Sequence, residues 1–263
     1  MKVNFHGEDL PSSREYNILG GNKLSWHIPE EIPVAFVYNR RNYAVMMATP
    51  DDLTDFAVGF SLTENIVRQT KDIISLDVFQ SAQGVDLRFK ISNQALEKLD
   101  MTQRRRNLVG SASCGVCGLE NADVLFRKLQ PVSDKPITLN YSAVVSAIKM
   151  LRDHQPLGNL TRTVHAAAWS DRHGDLNLVR EDVGRHNALD KLLGALKLEK
   201  VNMKSGFVVM SSRCSYEIVE KAASQGVYAL VSLSAPTAFA LRKAEEAKMT
   251  VYANSQTGPI RLL

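Results

Sequence analysis

Leu176-Asn177-Leu178-Val179-Arg180-Glu181-Asp182-Val183-Gly184-Arg185-His186-Asn187-Ala188-Leu189-Asp190-Lys191 is the stretch on which the fold class turns. Leu176 to Val179 reads as a strand, and Leu189, Leu192, Leu193 and Leu196 recur at helical spacing just beyond it. The same alternation continues downstream. A strand at Phe207 to Met210 leads through Ser211-Ser212-Arg213-Cys214-Ser215 into a helix on Ile218, Val219 and Ala222 that stops near Gly226. A strand at Tyr228 to Leu233 leads through Ser234-Ala235-Pro236-Thr237 into a helix ending near Lys248, and a last strand begins at Met249. Upstream, Val144, Val145, Ile148 and Leu151 mark another helix. Alternating strands and helices predict an α/β domain over residues 133–263, with a largely parallel sheet covered by helices on both faces.

Residues 1–100 read differently, as a β-rich unit with one clear helix. Val34 to Tyr38 and Tyr43 to Met47 are short apolar runs separated by Asn39-Arg40-Arg41-Asn42, a strand-turn-strand pattern. Thr49-Pro50-Asp51-Asp52 carries a helix-start signature: a hydroxyl cap, a proline for the first turn and two acids at the positive dipole end. Leu53, Phe56, Ala57 and Phe60 follow as one apolar stripe. Val78 and Phe79, with Val85, Leu87 and Phe89, suggest a second strand pair. Between the two units, residues 101–132 are polar, basic and glycine-containing, and are read as a mobile connection.

The chain has 263 residues, 44% of them hydrophobic, enough for a packed core. Its 32 basic and 28 acidic residues leave a formal charge of +4, suited to an anionic small molecule or partner face and short of a nucleic-acid footprint. Met1 to Pro11 lacks a signal-type apolar core, and no stretch approaches the roughly 20 apolar residues of a membrane span. Three cysteines argue against a secreted disulfide scaffold. The expectation is a protein of the reducing cytoplasm.

Two of those cysteines form Ser113-Cys114-Gly115-Val116-Cys117-Gly118, shortly after Arg104-Arg105-Arg106. Neighbouring positive charge lowers a thiol's pKa from roughly 8.5 and favours the reactive thiolate. Sulfur chemistry and metal binding are both open at this pair, as is a purely structural role. Zinc is thinly supplied, because a structural site wants four ligands and only Cys214 and scattered histidines remain. A thioredoxin-like site would need the pair at the start of a helix after a strand, and no strong strand precedes it. Cys214 reads as a small buried or junction thiol.

The three strand-to-helix junctions at Glu181 to Asn187, Ser211 to Ser215 and Ser234 to Thr237 are unusually polar. In open α/β sheets ligands bind beyond the carboxyl ends of the strands, where helix N-termini present free N–H groups to anions. Arg185, Arg213 and the junction serines suit phosphate, and Glu181 and Asp182 suit a base or sugar; alternatively Ser215 and Ser234 only cap helices. His165 and His186 are candidates for ligand contact or proton handling, and a structural role is open for each. His6, His27, His154 and His173 receive no role.

Taken together, Cys114-Gly115-Val116-Cys117-Gly118, Glu181 through Lys191, Ser211-Ser212-Arg213-Cys214-Ser215-Tyr216-Glu217 and Ser234-Ala235-Pro236-Thr237 resemble the FdhD sulfur carriers, the formate dehydrogenase accessory sulfurtransferase family. Thr49 to Leu53 with Ala57 to Phe60 is similar to the family's N-terminal helix. The resemblance implies a cytidine deaminase-like three-layer core in the C-terminal half, with an N-terminal β-rich α+β subdomain. It implies a cytoplasmic homodimer that takes sulfur from a cysteine desulfurase as a persulfide. The sulfur passes to a molybdenum or tungsten bis-pterin guanine dinucleotide cofactor destined for formate dehydrogenase. Cys114 would carry the persulfide with Cys117 assisting, and no metal would be permanently bound. The alternative is an accessory chaperone that binds the nucleotide cofactor without transferring sulfur.

Zinc deaminases need His-x-Glu and Pro-Cys-x-x-Cys at two helix starts. Here the corresponding positions hold His186-Asn187-Ala188 and Cys214 alone, which argues against deamination. Arg162 and Thr163 stand where the family usually has two glycines before the histidine of the His165 region, and Ser212 stands where glycine is frequent. The family's guanine-nucleotide segment, aromatic–small–Arg–Gly, corresponds to Asn254-Ser255-Gln256-Thr257-Gly258-Pro259, which lacks the aromatic and the arginine.

Overall fold

The apolar runs around Asn39 and Arg40 do form a hairpin, because the turn residues accept the backbone it requires. Both have positive φ (46° and 67°), the mirror-image turn that matches strand twist. It joins β4 (Ile32–Tyr38) to β5 (Arg41–Ala48) in antiparallel register, with an irregularity at Phe36/Val37. The computed structural model describes residues 1–17, 25–107 and 128–263, with the backbone alone over 102–107.

The expected second strand pair is β6 (Ile73–Ser81) and β7 (Gly84–Ile91). With β1 (Lys2–His6), these strands build a five-stranded sheet of order β1-β6-β7-β4-β5. β2 (Ser13–Asn17) and β3 (Ser25–Pro29) form a separate ribbon. Helices α1 (Leu53–Thr63) and α2 (Asn93–Asn107) contribute to the core of this half, where Phe36, Phe56, Leu76, Leu87 and Leu99 pack together. α2 runs through Arg106, inside the stretch read from sequence as a connection.

The start of α1 corrects the sequence expectation. Thr49 is no cap, and Pro50 lies outside the helix, which begins at Leu53 after Asp52 in the left-handed conformation (φ 54°). Nor is α1 amphipathic. Every residue from Phe56 to Thr63 is buried, because its second face packs on α5 (Arg185–Leu198) of the other half.

The second half contains β8 (His165–Asp171), β9 (Leu176–Asp182), β10 (Gly206–Met210), β11 (Ala229–Ser232), β12 (Thr250–Ser255) and β13 (Gly258–Arg261), in the order β13-β12-β11-β10-β8-β9. Only β10, β11 and β12 run parallel. The β8–β9 hairpin and β13 are antiparallel additions, so the expectation of a largely parallel sheet holds for its centre alone. Helix layers on both faces are present. Ala167, Val208, Leu230 and Val251 face α5, α6 (Tyr216–Ser224) and α7 (Ala238–Glu246). The alternate residues Ala166, Ala168, Val209 and Val231 face α3 (Tyr141–Leu151).

Candidate functional site

The sheet topology brings most of the singled-out residues to one end. Since β8 and β9 are antiparallel neighbours, His165, the first residue of β8, pairs with Asp182, the last of β9. Met210 at the end of β10 pairs with Ala167 of β8, so Ser211 to Ser215 leave the sheet beside them. Ser234 to Thr237 follow β11, and Asn254 to Pro259 form the β12–β13 hairpin at the same end. Cross-strand bonds lock these junctions together. The Ser211 hydroxyl accepts from Ala166 N–H at 2.8 Å, Ser232 Oγ lies 2.7 Å from the Ser212 carbonyl, and Thr237 N–H donates to Cys214 O at 3.0 Å. Cys114 and Cys117 lie outside the described residues.

Glu181 and Asp182 turn inward. Glu181 accepts from Leu157 N–H at 2.9 Å and Gly158 N–H at 2.8 Å, at the start of α4 (Pro156–Thr161). Burial pushes its carboxyl above the usual range against the pull of those N–H groups. Asp182 Oδ2 meets Lys191 Nζ at 2.7 Å, with both side chains fully buried. Its Oδ1 accepts from Gly184 N–H and Asn187 Nδ2 at 2.8 and 2.9 Å.

That pair is tied to the first half. Thr49 N–H donates to Asp182 Oδ2 at 3.0 Å, Thr49 Oγ1 accepts from Val183 N–H at 3.1 Å, and Lys191 Nζ donates to Thr49 O at 3.0 Å. Asn187 Nδ2 reaches Met47 O at 2.8 Å. Thr49 is therefore a joint between the halves, which its place in a local helix-start signature concealed.

The remaining groups are disposed for a ligand. His186 Nε2 lies 3.1 Å from Glu217 Oε2 and 3.4 Å from Ser215 Oγ. The hydrogen bond to His186 holds the Glu217 carboxyl below its usual range. Ser215 stands at the N-cap of α6 without a capping bond, so its hydroxyl serves this cluster; Thr237, not Ser234, caps α7. Burial and then the charge of Arg185 push His165 down, which favours its neutral form at neutral pH. Arg185 Nε is the one buried side-chain polar atom without a partner among the described residues. A buried donor left unpaired is costly, and an incoming oxyanion would satisfy it. The phosphates of the expected dinucleotide fit this end of the sheet on that ground.

Cys214 is fully buried, and burial pushes its thiol up to about 12, so the thiolate is scarce near neutrality. In a Cys114→Ser/Cys117→Ser variant, a thiol-reactive disulfide at about pH 8 is expected to leave Cys214 untouched until denaturant is added. Rapid labelling of the native protein would contradict the burial.

A sequence profile described as the FdhD/NarQ family matches residues 29–261. The chain is 46% identical over 224 residues to the sulfur carrier protein FdhD of Xanthomonas euvesicatoria pv. vesicatoria (strain 85-10), covering 85% of this chain and 79% of that one. It is 41% identical over 235 residues to the sulfur carrier protein FdhD of Bordetella petrii, covering 89% and 83%. A crystal structure from Desulfotalea psychrophila, described as a formate dehydrogenase accessory protein, has a similar fold, with a TM-score of 0.72, 24% identity and coverage of 95% of this chain and 96% of that one. The profile spans both halves and the relatives align along most of their length, so this chain belongs to the FdhD/NarQ family.

Proposed function

We propose that this chain accepts sulfur on Cys114 from a cysteine desulfurase and passes it to the molybdenum or tungsten bis-pterin guanine dinucleotide cofactor used by formate dehydrogenase. The observation that carries the reading is the 46% identity to a protein named as a sulfur carrier, over 85% of the chain. Burial of Cys214 supports it, since the two other thiols are then the ones left for the chemistry. In the first step the Cys114 thiolate attacks the outer sulfur of the donor persulfide. One S–S bond forms as another breaks, and the donor leaves as a thiolate, so no external oxidant is required. Cys117 would assist release of the outer sulfur.

The cofactor is cargo in this scheme. Arg185, Arg213 and His165 would receive its phosphates at the sheet end, and the Asn254–Pro259 hairpin, with Ser255, Gln256, Thr257 and Gly258, lies at the same end for the guanosine. A deaminase-like ancestry for the second half fits helices on both faces of its sheet, without deaminase chemistry at His186 or Cys214. The description of the Desulfotalea psychrophila protein supports formate dehydrogenase as the client. A homodimer is the assembly that the family resemblance implies.

Intact-mass measurement after incubation with a cysteine desulfurase and cysteine tests the carrier role. A gain of one sulfur, erased by reductant and by Cys114→Ala, is expected. No gain in the wild-type protein, with the desulfurase shown active, sinks the carrier role in favour of a cofactor-binding chaperone.

A further inference from the structure

Charges on the first half are sorted by end. The acidic end is where β5 leads into α1, and Asp9, Asp51, Asp52 and Asp55 line one cavity there. The basic end lies one strand length away, about 25 Å. Its cations stand on separate elements that are bonded to one another. Arg40 sits in the β4–β5 turn, where Asn39 N–H donates to Phe89 O and Asn39 Oδ1 accepts from Ile91 N–H. Lys90, between those two partners, shares a rung with Ser75 of β6 and Lys2 of β1. Ser92 N–H donates to Asp72 O, which brings Lys71 alongside, and Asp72 Oδ2 accepts from Arg68 N–H at 3.1 Å. Lys2, Arg40, Arg68, Lys71 and Lys90 are all exposed.

The acids at this end are already engaged. Asp72 accepts from the N–H groups of Arg68 and Gln69, Asp100 pairs with Arg41, and Glu64 pairs with Lys221. Glu97 is followed on α2 by Lys98, so those two cancel. Burial and then the charge of Arg68 hold Lys98 below its usual range, which marks the crowding of like charge. None of the five exposed cations has an ion pair among the described residues.

From Lys2 on β1 to Arg40 beyond β4 is three strand spacings, about 14 Å. Exposed cations spread this widely are screened one by one and hold a small anion weakly. Together they attract an extended acidic face and speed its encounter. Their position selects the partner. Thr49, at the acidic end, bonds Asp182 at the cargo end of the second sheet, so the basic end is remote from the cargo. α2 starts at the basic end and runs to Asn107, seven residues before Cys114. A donor docked there meets the element that leads to the acceptor thiol and leaves the cargo end open.

We propose that Lys2, Arg40, Arg68, Lys71 and Lys90 form the docking face for an acidic surface of the sulfur-donating protein. The inference rests on the carrier reading above and gives the donor its place on the fold.

The test is the rate at which a sub-saturating cysteine desulfurase, with cysteine, adds one sulfur to the full chain, followed by intact mass. Arg68→Glu/Lys71→Glu/Lys90→Glu is expected to slow loading about tenfold at about 50 mM salt, with the gap closing towards about 0.5 M as the Debye length shortens. Arg68→Gln/Lys71→Gln/Lys90→Gln is expected to fall between, since it removes attraction without adding repulsion. Uncharged iodoacetamide is expected to alkylate Cys114 and Cys117 equally fast in all three proteins. Equal loading of the three at low salt overturns the docking face and leaves the carrier reading standing. Equal slowing of loading and alkylation puts the effect in the thiols and also overturns the docking face. A wild-type protein that gains no sulfur from an active desulfurase overturns the carrier reading itself, and the docking face with it.

Discussion

Replacing Lys191 with methionine is expected to destabilise the protein by about 3–5 kcal/mol, the cost of stripping one partner from a buried ion pair. Lys191 Nζ and Asp182 Oδ2 are 2.7 Å apart, and neither side chain has any exposure. Without the ammonium, the carboxylate keeps Thr49 N–H, Gly184 N–H and Asn187 Nδ2 as donors. The carbonyls of Thr49 and Glu181 each lose a donor at 3.0 and 3.2 Å. The charge then stands uncompensated where water cannot reach it. The double variant Lys191→Met/Asp182→Asn is expected to lose clearly less than the sum of the single changes, because it removes both charges together. Denaturant unfolding of the four proteins measures the coupling. A loss under about 1 kcal/mol for Lys191→Met would show that the pair does not hold the halves together. The effect extends to the end of the sheet, since Glu181 to Gly184 is the backbone that leads into Arg185.

What the sequence disclosed, and what it hid, follows from where each signal resides. The β4–β5 hairpin and the helices after β9, β10 and β11 were legible because their apolar residues recur at a period that local chemistry enforces. β8 was not anticipated. Its Ala166-Ala167-Ala168 core has poor strand propensity, and it is a strand because small residues suit a sheet position buried under helices on both faces. The ribbon β2–β3 was also missed, since Ser13–Asn17 is polar and largely exposed. Thr49 misled because a hydroxyl before Pro50 reads as a cap, yet its partners come from residues more than a hundred positions away. The junction residues were recognisable as a polar set. Which of them turn inward was not, because Glu181 and Asp182 look equally available until α4 and Lys191 are in place.

Gly194→Ala is the second severe change, and it shows how closely the two halves are held. A β-carbon at Gly194 would sit 1.9 Å from the Asp55 carbonyl oxygen and 2.7 Å from Gly59 N. One at Gly59 would sit 1.7 Å from the Asp190 carbonyl oxygen. Every atom in the way is backbone, so no rotamer change makes room and α1 and α5 must move apart. Alanine gains about 1 kcal/mol of helix propensity over glycine, whereas overpacking of a rigid contact costs about 3 kcal/mol or more. A net loss of at least about 2 kcal/mol is expected. The displacement would also pull Asp55 from Arg180, whose Nη2 lies 2.7 Å away. Because one separation of the helices accommodates either methyl group, Gly59→Ala/Gly194→Ala is expected to cost much less than the two single losses added. Equilibrium unfolding of the single and double variants decides the matter. Strict additivity would mean that the two glycines relieve independent strains, and a neutral or stabilising Gly194→Ala would mean that the helices do not meet at backbone contact. Since α5 begins at Arg185, the same displacement would shift Arg185 and His186 relative to His165.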